Sequence, residues 1–78
     1  MPPVFCLVDQ RDKIAPDWEL VAGIIASDLQ EAKELIASYQ AENFNISEYQ
    51  LRPCDQRTFQ LQRPNVILMA PSLKGNYA

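Results

Sequence analysis

The sequence predicts a small α+β domain: a mostly antiparallel sheet of four to five strands with one helix on one face, in the order β-β-α-β-β-β. Three observations carry this. One stretch, Ser27 to Glu42, has the apolar spacing of a helix. Short runs rich in strand-forming residues flank it on both sides. A single helix among several strands is best buried on one face of an antiparallel sheet.

The helix is the best-defined element. Ser27 is a good N-cap, and Gln30 completes an S-x-x-Q capping box. Asp28 and Glu31 place negative charge at the positive end of the helix dipole. Leu29, Ala32, Leu35, Ile36 and Tyr39 recur at three- and four-residue spacing and form one apolar stripe. Asn43 is suited to end the helix. At about 100° per residue, Glu31, Glu34, Ser38 and Glu42 fall along one polar flank, with Lys33 and Gln40 on the other. The ordinary reading of such a flank is a solvated face. The sharper reading is an acidic stripe that meets a basic partner.

Before the helix, Val4 to Val8 reads as the first strand, Asp9 to Asp17 as a long loop, and Trp18 to Ala26 as the second strand. Gly23 inside that strand predicts a bulge or a close backbone approach. After the helix, Phe44 and Ile46 are expected to pack against its end. Ser47 to Arg52 reads as the third strand and Pro53 to Gln56 as a turn. Thr58 to Gln62 alternates Phe59 and Leu61 with polar residues and reads as a fourth, half-exposed strand. Val66 to Ala70 reads as a fifth. Residues 1–71 then make one domain, and 72–78 a mobile C-terminal tail.

The first, second and fifth strands are apolar on both sides of the pleat, and one helix covers one face only. The expected resolution is that a second copy or a different partner covers the other face or an edge. This predicts a homodimer, the alternative being that the long loop and the tail fold over that face.

The chain has 78 residues, 47% apolar and 22% charged, which reads as one globular domain near the small end of what folds alone. Met1-Pro2-Pro3 is not a basic region leading into a long apolar run, and the longest wholly apolar run, Leu20 to Ala26, is too short to span a bilayer. A cytoplasmic protein without membrane contact is expected, with Cys6 and Cys54 as free thiols. The net charge is -3, and nine of the ten acidic residues lie between Asp9 and Glu48. Arg52, Arg57 and Arg63 follow with only Asp55 against them, so a basic hairpin on an otherwise acidic molecule is expected.

The sequence offers little to a catalytic reading. It contains no histidine, and its two glycines, Gly23 and Gly75, are far apart and make no phosphate loop. Cys6 and Cys54 are not a C-x-x-C pair. Cys54, in a turn beside Arg52 and Arg57, could have a lowered thiol pKa but has no base. Asp9, Asp12 and Asp17 flank one loop without the spacing of a calcium site. No catalytic residue, metal or cofactor is therefore assigned.

The run Gly23 to Ile36, GIIASDLQEAKELI, an apolar strand passing into a capped helix, resembles that of many small β-β-α-β proteins, including ones encoded by phages and mobile elements. It gives no residue a role. The expected function is a small non-enzymatic protein-binding module, an inhibitor or accessory subunit of the phage or mobile-element type acting by protein contact, with Glu31, Glu34, Glu42 and Trp18 as candidate partner-binding residues. The alternative is single-stranded nucleic-acid binding. Arg52, Arg57 and Arg63 would then meet phosphates while Tyr49 or Phe59 stacks on bases. The acidic net charge weighs against it.

Overall fold

A computed structural model describes residues 3–11, 14–15, 17–43 and 48–74. Strands β1 (Val4–Arg11) and β2 (Trp18–Ala26) form an antiparallel pair. Helix α1 (Leu29–Asn43), strand β3 (Tyr49–Cys54), helix α2 (Gln56–Gln62), strand β4 (Ile67–Met69) and the one-turn helix α3 (Pro71–Lys74) follow. The sheet order is β3-β1-β2-β4, with only β4 joining in parallel, beside β2. The α+β class and the mostly antiparallel four-stranded sheet are those the sequence predicts. The third strand lies beside β1.

Helix α1 starts one residue later than the predicted cap. Asp28, not Ser27, is the N-cap: its Oδ1 accepts from the Glu31 amide at 2.7 Å. Glu31 takes the part predicted for Gln30, and its Oε1 accepts from the Ser27 amide at 2.9 Å and the Ser27 hydroxyl at 2.8 Å. Asp28 outcompetes Ser27 because a carboxylate bonds the amides of the first turn more strongly than a hydroxyl. The stripe packs as its spacing requires. Ala32 and Ile36 are buried, and Leu35 and Tyr39 close over Cys6, Val8, Ala22, Ile24 and Ala26. Leu29 lies at the rim, 40% exposed.

The segment Thr58 to Gln62 is helical, not the predicted fourth strand. Asp55 caps α2, and its carboxylate accepts from the Thr58 amide at 2.7 Å. Arg63, at φ 47°, ends the helix in the left-handed region. The alternation that suggested a strand was not an alternation of burial, since Phe59 is buried while Leu61 is 70% exposed.

This helix overturns the premise that nothing remains to cover the second face. Phe5, Leu7, Gly23 and Ile25 point away from α1. Phe59 stacks on Phe5 with ring centroids 5.3 Å apart and planes at 58°. Gly23 leaves room for the Phe59 ring and Pro64, since a Cβ there would stand 2.6 Å from both. Leu7 is fully buried as a result. Topology explains why α2 takes this face. Strands β2, β3 and β4 run parallel to one another. The passage through α1 moves from β2 to the β3 edge, and the passage through α2 moves back across the sheet to β4. Two crossovers of one hand that travel in opposite directions must use opposite faces.

At the C-terminal end the predicted tail begins with a docked turn. The Leu73 amide donates to the Ala70 carbonyl at 3.0 Å, Leu73 is buried, and the Ser72 hydroxyl bonds Glu31 at 2.8 Å. Residues 75–78 lie outside the described residues, as do Phe44, Ile46 and Asp12. Among the described residues no helix is long and apolar enough to cross a membrane.

Candidate interaction surface

Helix α2 is short and covers only the part of the second face around Phe5 and Gly23. Toward the β1–β2 loop the same face turns polar and open. A one-residue bulge decides what stands there. Val8 pairs with Ala22 but Asp9 pairs with Leu20, leaving Val21 unmatched in β2. Beyond that point β2 changes face, so Leu20 and Trp18 join Asp9 and Arg11 rather than the α1 side. Without the bulge Trp18 would have pointed to the other face.

The resulting surface has three parts. The Arg11 guanidinium lies over the Trp18 ring, 5.9 Å from its centroid. Arg11 also meets Glu48 at 3.7 Å, both side chains about half exposed. Arg52 from β3 grips Asp9 through two guanidinium nitrogens. Asp9 is buried, so it is a sheet residue rather than one of the three loop acids the sequence suggested. Its hydrogen bond holds the Arg52 guanidinium pKa above its ordinary value. Trp18 itself is 46% exposed, and Ile14 in the adjoining loop is 96% exposed. A hairpin end therefore presents an indole, an isoleucine and a ring of charges to solvent.

The predicted partner residues are not brought together. Trp18 stands on the open end of the second face. Glu34 is exposed on α1, where the Gln30 side-chain amide donates to it at 3.4 Å. Glu31 serves the fold: the Ser27 amide first, then the Ser72 and Ser27 hydroxyls, hold its carboxyl below the usual range. Glu42 is in the last turn of α1, and its side chain lies outside the described residues.

The nucleic-acid set is dispersed as well. Arg52 is on β3, Arg57 on the exposed side of α2 and Arg63 at its C-terminal end, so the expected basic hairpin is a strand followed by a helix. Tyr49 is half buried against the core on the α1 side of the sheet, and Phe59 is buried against Phe5. The Phe59 ring therefore offers no free stacking face. Cys54 is half buried, and burial first, then Asp55, raise its thiol pKa against the opposing pull of Arg52. That reverses the expectation of an activated thiol. Burial likewise raises the pKa of Cys6.

Sequence reasoning missed Arg11, Glu48 and Ile14 as parts of one surface. Ile14 lies in a loop that already looked long for its task, which was the available signal. The bulge that aligns Trp18 with Arg11 left none. The chain matches no family model, no curated protein and no solved structure.

Proposed function

We propose that the chain is a non-enzymatic protein-binding module of the cytoplasm that acts by contact, as an inhibitor or accessory subunit, and that its contact surface is the hairpin end carrying Trp18 and Ile14. The observation that supports this reading most is the joint exposure of these two large apolar side chains at one end of the β1–β2 pair. Aromatic residues and arginines that stand half exposed beside each other are the usual anchors of protein interfaces. The cation–π contact with Arg11 fixes the indole at little further entropic cost. Glu48 and Asp17, both exposed, supply an acidic rim and favour a partner with basic residues around an apolar pocket. The acidic flank of α1 contributes less, because Glu31 is already engaged.

Site-specific photocrosslinking in the native host tests this. A photoreactive residue at position 14 is expected to trap a discrete protein adduct, and one at Lys33 on the exposed side of α1 is not. Trp18→Ala should abolish the adduct while the far-ultraviolet circular dichroism stays unchanged. Equal trapping from both positions, or an adduct indifferent to Trp18→Ala, would place the contact elsewhere.

A further inference from the structure

Strand β3 pairs with β1 on one side, and no described strand pairs with its other side. We propose that this outer edge is where two copies of the chain associate, β3 against β3 in antiparallel fashion, about a two-fold axis through Gln50.

The register follows from the side chains. Opposite residues in an antiparallel pair lie on the same face. To keep α1 of both copies on one side of a continuous sheet, the axis must pass through a residue rather than between two. An axis through Gln50 sets Glu48 opposite the partner's Arg52, twice, and Tyr49 opposite the partner's Leu51, twice. An axis through Arg52 would oppose that residue to itself. One through Leu51 would bring Pro53, which has no N–H, into the ladder. An axis through Tyr49 would leave Arg52 unpaired. Only the Gln50 register joins opposite charges and apolar residues at once.

Each face supports it. Glu48 already contacts Arg11, and Arg52 already holds Asp9. Joining two copies makes a row of alternating sign: Arg11, Glu48, the partner's Arg52, the partner's Asp9. On the α1 side, half-buried Tyr49 and Leu51 belong to the core packing and would extend it across the axis. Helix α1 packs chiefly over β2, and α2 reaches over β1, away from the β3 edge. Charged residues and proline on an edge strand discourage indiscriminate pairing. Here their order selects one register. The contact does not use Trp18 or Ile14, and it shares only Glu48 with the rim of the hairpin surface.

Sedimentation equilibrium of the full chain under reducing conditions, over a dilution series, is expected to show a monomer–dimer equilibrium. Glu48→Lys places like charges opposite each other at both ends of the contact and should weaken the dimer by about tenfold or more, with unchanged circular dichroism. Trp18→Ala should leave it unaltered. The register is read separately. In a Cys54→Ser background, Gln50→Cys sets two thiols across the axis and should form a disulfide-linked dimer far faster than Gln60→Cys on exposed α2. A chain that stays monomeric throughout, a dimer indifferent to Glu48→Lys, or equal crosslinking from positions 50 and 60 would each overturn the proposal.

Discussion

Gly23 and Glu31 show how single residues bind the layers of this fold. In most strand positions alanine is at least as good as glycine. At Gly23 the opposite holds, because the space of a Cβ is filled by the Phe59 ring and Pro64 at 2.6 Å. Gly23→Ala must push α2 off the sheet or shift β2, and it is expected to destabilise the domain by about 1–3 kcal/mol, the usual cost of overpacking. Chemical denaturation measures this, and a neutral or stabilised variant would show that α2 yields freely. Glu31 links α1 to α3 through Ser27 and Ser72. Its folded pKa lies below the ordinary carboxyl value of 4.5. Its contribution is therefore complete above that value and is lost as pH falls through the lowered one. The protection of the α3 amides, corrected for the intrinsic pH dependence of exchange, should fall on acidification through this range, and Glu31→Gln should flatten that dependence. An α3 equally protected at all these pH values would detach Glu31 from its docking.

Among the elements, α1 and the two long strands were legible in the sequence and α2 was not. Fifteen residues give a helical stripe several turns in which to repeat, and Ile36 and Ala32 are buried where it requires. Seven residues give α2 too few. Phe59 and Leu61 two positions apart mimic a strand period, and only Phe59 is buried. The missed signal was local: Asp55 stands where a cap should, three residues before Thr58, in a stretch rich in glutamine and arginine. The hairpin surface was half legible. Trp18 was visible as a candidate, but its alignment with Arg11 depends on a bulge that depends on pairing. Because α2 is fastened mainly by one ring, Phe59→Ala should cost about 3–5 kcal/mol and uncover Phe5 and Leu7. Binding of a hydrophobic dye should rise in this variant and stay low in the native chain. Native-like stability with no dye binding would mean that the second face is held closed by something other than α2.

Charge at the scale of the whole molecule weighs on the choice between the two functional readings. In the sequence the arginines after Glu48 look separated from the acids before it. The fold reverses this by laying β3 beside β1, so Arg52 pairs with Asp9 and Glu48 with Arg11. The potential of the presumed basic end is thereby reduced to Arg57 and Arg63, on a chain of net charge -3. A single strand held by all three arginines would lose affinity with salt at a logarithmic slope of about -2, from roughly 0.7 counterions released per phosphate contact. Two exposed arginines, with Phe59 buried and Tyr49 packed against the core, supply less of that electrostatic term and of the stacking energy that single-strand binders use. Fluorescence anisotropy with labelled single-stranded DNA and RNA should therefore detect no binding at physiological salt, and Arg57→Ala should change nothing. Micromolar affinity that falls with salt at the steeper slope and weakens in Arg57→Ala would restore the nucleic-acid reading and displace the hairpin surface from its place in the function.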